Sequence, residues 1–193
     1  MSEKTIIYRD LSDGDIEICR DLCNALMQHQ ASKGIIHPEI LGNMNFDNRL
    51  KPSFNSAGEK LLIVAFDDET PIGYIFADVT TITEGSKAFR PGWKSLLNEE
   101  EAAGLGFFPA DIEVPTKAGE LNNLYVKPEY RGENIGKELT DRAMAWIKSH
   151  EDVHCAFVDV SNGNNAAPFY EKYGFTFSHD VMGGIIKAYI AKF

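Results

Sequence analysis

The stretch that decides the fold runs from Leu121 to Ile147, LNNLYVKPEYRGENIGKELTDRAMAWI. Gly119–Val126 reads as a strand, and Pro128 prevents easy continuation of its hydrogen-bond ladder. The chain then turns through Arg131–Gly136 into a helix over Ile135–Ser149, whose Ile135, Leu139, Arg142, Ala143, Trp146 and Ile147 fall near one stripe. The first N–H groups of a helix have no internal partner, and the macrodipole is positive there. Because Gly132 and Gly136 lack side chains, a diphosphate can come close enough to collect those amides. Asn134 adopts the left-handed conformation at modest cost, so a run of amides can face one point. Arg131 and Lys137 add positive charge where two phosphates would lie. A plainer reading stays open here: a helix start that uses glycine only to turn.

Outward from this stretch the chain alternates between element types. Thr5–Arg9 is a short strand pattern, and Asp10–Lys33 reads as helical from Ile16, Cys19, Leu22, Cys23, Leu26 and Met27. His37–Arg49 is a second helix, with Pro38 acceptable in its first turn. Lys60–Phe66 is a buried strand; Asp67–Thr70 turns, and Pro71–Thr80 returns as its antiparallel partner. From Thr81 to Lys117 the pattern breaks, and Lys94–Ala103 is the one short helix it offers. Irregular chain of that length predicts an insertion at about 81–118 that walls a pocket or an interface. Downstream come a strand over Cys155–Val160, a short helix over Asn165–Tyr173 with Gly174 as its left-handed stop, and closing strands at Phe175–Ser178 and Ile185–Ala191. A strand–helix–strand–helix unit after an antiparallel hairpin makes a mixed α/β sheet.

The 193 residues suit one domain, 1–193, carrying that insertion. Hydrophobic content of 44% and charged content of 25% are those of a soluble globular chain. Cys19, Cys23 and Cys155 lack zinc or disulfide spacing, which fits small core residues in a reducing cytoplasm. The opening MSEKTIIYRD has early acids and no apolar run, so it does not read as a signal peptide. No stretch approaches a membrane span. The net charge of −10, from 19 Lys+Arg against 29 Asp+Glu, argues against a nucleic-acid partner and suits a cationic substrate. An acid surplus that only aids solubility fits equally well. The scattered histidines make no ligand pair, so no metal is expected.

Two other phosphate turns fail against Arg131–Gly136. A dinucleotide fingerprint needs differently spaced glycines near the first strand. A P-loop needs Ser or Thr after its lysine, and Glu138 follows Lys137. The residues instead resemble the GNAT superfamily of N-acetyltransferases. Arg131-Gly132-Glu133-Asn134-Ile135-Gly136 is similar to its pyrophosphate motif R/Q-x-x-G-x-G/A, except that Asn134 replaces the central glycine. Ala166–Phe175, AAPFYEKYGF, looks like its second signature. The resemblance covers Glu120 to Phe175. It implies a GNAT-like fold: a central, mostly antiparallel twisted sheet of about seven strands flanked by helices, splayed between the fourth and fifth strands.

The resemblance also implies an activity, acetyl transfer from acetyl-CoA to a primary amine in a ternary complex. The pyrophosphate would be held by Arg131, Gly132, Glu133, Asn134, Ile135, Gly136 and Lys137. The acetyl carbonyl and pantetheine would meet the backbone of Leu124, Tyr125 and Val126. Tyr170, four residues before Gly174, matches the general acid towards the CoA thiolate; a core aromatic is its plainer reading. Many relatives carry a strand acid as base where this chain has Asn122 and Asn123. Glu120, on the same strand face as Asn122 by period-two alternation, is the expected substitute, with Asp111 and Glu113 as alternatives. The family usually has an asparagine where Gly163 stands, so Asn162 or Asn164 would reach the pantetheine instead; a turn or helix cap is the plainer role.

The missing strand acid keeps a second expectation open, a catalytically silent acetyl-CoA sensor, and an interaction domain that binds no CoA is a third. The acceptor is expected to be a small-molecule or peptide amine. Phe89, Trp93, Phe107 and Phe108 of the insertion would wall its pocket or cover a homodimer surface.

Overall fold

The computed structural model describes residues 5–193. The reading of the N-terminus as leaderless rests partly on Met1–Lys4, which lie outside them. Seven strands, β1 (Ile6–Asp10), β2 (Glu59–Asp67), β3 (Thr70–Ile82), β4 (Thr116–Val126), β5 (Cys155–Ser161), β6 (Thr176–Val181) and β7 (Ile186–Lys192), form one sheet. Its order is β1-β2-β3-β4-β5-β7-β6. Neighbours are antiparallel except β4 and β5, which run parallel and pair only over Gly119–Leu121 with Ala156–Val158. Beyond Leu121 they part, and this is the expected splay.

Helix α1 (Arg20–Lys33) covers one face of the sheet and α6 (Ile135–Lys148) the other. On the α6 face Leu139, Ala143 and Ile147 are fully buried against Ile63, Ile75, Leu121 and Val158. On the α1 face Leu22, Cys23 and Met27 pack with Leu62, Val64, Tyr74, Phe76 and Tyr125. All three cysteines are free and buried. Burying apolar side chains of this kind contributes roughly 1.5–3 kcal/mol each and holds both layers to the sheet.

The sheet's main irregularity lies in β4. Phe76 of β3 pairs with Asn123, but the next residue, Ala77, pairs with Leu121, so Asn122 is an extra residue, a bulge. Two consecutive asparagines therefore face α1, where strict alternation would send one to each side. A bulge also sharpens local twist, which suits a strand that peels away from its neighbour.

The sequence reading needs correction at three helices. The Asp10–Lys33 helix begins only at Arg20, after a 3-10 turn (Ile16–Cys19) that Asp15 caps by accepting from the Glu17 N–H at 2.9 Å. The expected His37–Arg49 helix is broken: α2 spans Pro38–Gly42, Asn45 leaves the helix as an extended cap, a π-turn covers Phe46–Leu50, and α3 covers Lys51–Ser56. The Lys94–Ala103 helix is also broken, because Asn98 caps a new start. The insertion holds α4 (Glu84–Ala88), a 3-10 turn (Gly92–Leu96) and α5 (Glu99–Ala102), with caps at Thr83 and Asn98. Short α7 spans Ala167–Glu171, and Gly174 is left-handed at φ 85° as expected.

Candidate active site

The β4–α6 turn is built as its residues dictate. Gly132 (φ 88°) and Asn134 (φ 61°) are left-handed, and the first helical amide bond runs from Glu138 N–H to Asn134 O at 3.0 Å. Among the described residues the amides from Gly132 to Lys137 donate to no protein acceptor. A Cβ at Gly132 would meet nothing within 4 Å, and one at Gly136 only Val126 at 3.8 Å. The amides thus open on a groove of about 580 Å³ lined by Val126, Tyr130, Arg131, Gly132, Asn134 to Lys137, Asp141, Phe169, Lys172 and Tyr173. Glu133 belongs to the turn but does not line the groove. Arg131 donates from Nε to Val126 O at 3.0 Å, so it also anchors the exit of β4. Lys137 pairs with Asp141 at 2.6 Å, and the Tyr173 hydroxyl donates to the same carboxylate at 3.0 Å.

On the α1 face lies a second cavity of about 650 Å³. Its floor is Glu120, Asn122 and Asn123 of β4 with Asp159 and Ser161 of β5. Its walls are Ile40, Leu41 and Met44 near α2, Arg49 and Ser53, and the insertion's Phe89, Trp93, Leu96, Phe107 and Phe108. Of the two roles expected for those aromatics, the pocket wall is the one their positions fit. His37 ties wall to insertion: its ring meets Glu39 at 2.8 Å and Glu101 of α5 at 3.2 Å. The Glu39 bond, then Glu101, raises its pKa.

Three carboxylates meet at this floor. Asp78 of β3 is the direct cross-strand partner of Glu120, and Asn122 Nδ2 donates to Asp78 Oδ1 at 2.7 Å. Asp159 is two residues beyond Phe157, the β5 partner of Glu120, on the same face. Arg49 stands opposite, donating to Ser53 Oγ at 3.0 Å and to Asn122 O at 3.4 Å. Burial raises Glu120 most; Asp78 and then Asp159 push it further, and Arg49 opposes them. Asp159 is open to the cavity, yet the protein around it pushes it up to about 7, with Arg49 again opposing. Burial also lifts Asp78 above the ordinary range, against Arg49 and the Asn122 bond. Asp111 and Glu113 line neither cavity.

Tyr170 packs in the core, edge-on to Phe169 and Phe175 at 5.2 and 6.0 Å, and lines neither cavity. Burial pushes its phenol up to about 12. Leu124 and Tyr125 turn their side chains to opposite cores, which leaves backbone as what they offer the split. Asn162 has its side-chain amide engaged: Oδ1 accepts from Ile35 and Ile36 N–H, and Nδ2 donates to Ile36 O and Ile185 O. It clasps the α1–α2 loop to the start of β7 and has no capacity left for pantetheine, contrary to the sequence expectation. Asn164 lines neither cavity. Asparagine is excluded at 163 because Gly163 is left-handed at φ 73° and a Cβ there would lie 1.8 Å from Lys33 O.

Asp78, Asp159, Arg49 and Ser161 were not singled out in the sequence. For the acids a signal existed: a lone aspartate inside an otherwise apolar strand, in YIFADV and CAFVDV. A charge within such a strand needs a reason.

An open mixed sheet split between parallel neighbours, with an amide-lined turn on one side and an acid-floored cavity on the other, defines an acyl-transfer architecture. A family model described as Acetyltransferase (GNAT) family matches residues 37–175, and the chain belongs to that family. A comparison with curated proteins finds no match. Among solved structures, the chain is similar to PaiA N-acetyltransferase from Thermoplasma acidophilum in complex with coenzyme A (22% identity, 98% of this chain and 99% of that one, TM-score 0.63). It is also similar to a putative acetyl transferase from Pyrococcus furiosus (19% identity, 92% and 97%, TM-score 0.60). A third is Arabidopsis thaliana NAA60 with a bisubstrate analogue (17% identity, 96% and 95%, TM-score 0.51). At these identities the structures attest the fold. Among the described residues no helix is long and apolar enough to cross a membrane.

Proposed function

We propose that this chain transfers the acetyl group of acetyl-CoA to a primary amine of a small molecule or peptide, which approaches through the acid-floored cavity. One observation carries the reading. The groove with free amides and the cavity with carboxylates both open where β4 leaves β5: Val126 lines the first, and Asn122 and Asn123, just past the paired Glu120, line the second with it. Acetyl-CoA supplies an acetyl group activated as a thioester. The Gly132–Lys137 amides and Lys172 suit its phosphates, and the bare edge of Leu124–Val126 suits pantetheine and the carbonyl oxygen.

The acceptor arrives as an ammonium, since alkyl amines have pKa values near 10.4. Glu120, the base, takes one proton from it. A carboxylate raised by burial and by two neighbouring acids is a better match to an amine than an ordinary one. The freed lone pair forms the N–C bond, and backbone N–H of β4 receives the charge that develops on the carbonyl oxygen. As the C–S bond breaks, the electron pair leaves on sulfur and nitrogen gives up its second proton. The thiolate takes up one, so each ammonium acetylated releases one proton overall.

Tyr170 holds its proton more tightly than a thiol of pKa about 8.5 does, so full transfer from it would be uphill by about 5 kcal/mol. To serve the departing sulfur by a hydrogen bond its hydroxyl must reach a groove it does not line, and Tyr170→Phe tests this: slowed turnover with an unmoved acidic limb supports the role, and unaltered turnover makes it a core aromatic.

The test is CoA release from acetyl-CoA with polyamines, amino acids, aminoglycosides and peptide N-termini, for wild type and Glu120→Gln. Turnover of a primary amine that falls about 10²–10⁴-fold in the variant supports the reading. Tight acetyl-CoA binding with no turnover of any amine replaces it with a sensor.

A further inference from the structure

A buried polar atom without a partner costs free energy that a folded chain seldom tolerates without a reason. Among the described residues the buried side-chain atoms lacking a hydrogen-bond partner are the Tyr74 hydroxyl, Asn123 Oδ1 and Ser161 Oγ. The Tyr74 hydroxyl faces the Cys23 thiol inside the α1 core. The other two belong to residues that line the acceptor cavity, each only 5% exposed, with the two oxygens themselves covered in the free protein. They stand on the two strands that part, Asn123 one step past the bulge of β4 and Ser161 at the end of β5. Their neighbours are committed elsewhere: Asn122 donates to Asp78, and Asn162 clasps the α1–α2 loop.

We infer that Asn123 Oδ1 and Ser161 Oγ accept the two N–H hydrogens of the acceptor amine and so select primary over secondary amines. The inference rests on the reading of this cavity as the acceptor site. Once Glu120 has taken its proton, a primary amine carries two N–H bonds and one lone pair. Two fixed acceptors on those hydrogens leave the lone pair a single direction, towards the split between the strands. An N-methyl amine has one N–H, so it leaves one oxygen bare and sets a methyl group against it. Sites that hydrogen-bond a substrate group discriminate strongly against analogues lacking it, because the buried partner is then unpaired. Leucine at 123 is of similar volume and would relieve the bare oxygen in the free protein. Retention of an orphaned polar group where an apolar one would fit is the pattern of function held at a cost in stability.

The experiment uses a primary amine that the wild type acetylates and the N-methyl derivative of that amine. kcat/KM is measured for both with wild type, Asn123→Leu and Ser161→Ala, and the thermal midpoint of each protein is taken without ligand. The wild type should prefer the primary amine by about 10²-fold or more. Each variant should lose at least about tenfold on the primary amine and much less on the N-methyl amine, with its midpoint unchanged or raised. A preference unaltered in both variants overturns the assignment while leaving the acetyltransferase reading in place. So does a midpoint that falls by several degrees in both, since the two atoms would then have structural partners. Failure of the wild type to acetylate any amine removes the acceptor reading and this assignment together.

Discussion

Asn162→Ala removes four hydrogen bonds at once: Oδ1 accepts from Ile35 and Ile36 N–H at 2.6 and 2.7 Å, and Nδ2 donates to Ile36 O and Ile185 O at 2.8 Å each. These bonds are not equal in consequence. Ile35 is 82% exposed, so water replaces its bond. The Ile185 carbonyl keeps the backbone N–H of Asn162 at 2.9 Å. The Ile36 N–H and C=O lose their partner on both sides. At about 0.5–1.5 kcal/mol net per bond, the two Ile36 bonds and the buried Ile185 bond together give an expected loss of roughly 2–4 kcal/mol. For a chain of this length that lowers the thermal midpoint by roughly 5–15 °C. Calorimetry measures it, and hydrogen exchange at the Ile36 amide tests the cause. The loosened loop leads into α2, a wall of the acceptor cavity, so KM for the amine should rise more than KM for acetyl-CoA. A loss under about 1 kcal/mol, with Ile36 protection intact, would refute the clasp.

Gly136→Val should leave stability within about 1 kcal/mol of wild type, because a Cβ there meets nothing closer than 3.8 Å. CoA binding by calorimetry should weaken at least about tenfold, as the side chain enters the phosphate groove; unaltered affinity would mean the amides bind nothing. Asp78→Asn removes a negative neighbour of Glu120, so the acidic limb of kcat/KM should move to lower pH by about one unit, and a limb that stays put contradicts the cluster. Asp159 has a folded pKa raised above the usual 3.9 or so, to about 7. The protein around it therefore takes away stability as pH rises through that window. Asp159→Asn should melt higher than wild type above pH 7 by a margin that shrinks towards about pH 4; a gap constant with pH would disprove the shift.

The turn at Arg131–Gly136 was legible because glycines, a helix start and two cations are local signals. The strands were legible from apolar runs. What escaped depended on contacts across strands. Nothing in LNNLYV marks Asn122 as the extra residue, since a bulge is a property of the pairing with Phe76 and Ala77. Glu120 was found by alternation, but its partners Asp78 and Asp159 lie 42 and 39 residues away along the chain and meet it only in the folded sheet. The broken helix after His37 was signalled by Asn45 and Asn48, a reciprocal cap that overrides helical periodicity. Asn162 was singled out for pantetheine, but three of its four side-chain bonds reach back to Ile35 and Ile36, more than a hundred positions earlier.

The bulge at Asn122 also bears on how such a sheet could arise. Because the extra residue shares a face with Asn123, deleting it would leave every other side chain of β4 facing as it does now, Glu120 towards α1 and Leu121 towards α6. The kink would go, and with it the Asn122 bond to Asp78 and the carbonyl that accepts from Arg49. A straightened β4 would lose the local twist that accompanies its departure from β5 past Leu121. One extra residue thus bends the strand beside the split while the side chains of both cores keep the faces they have.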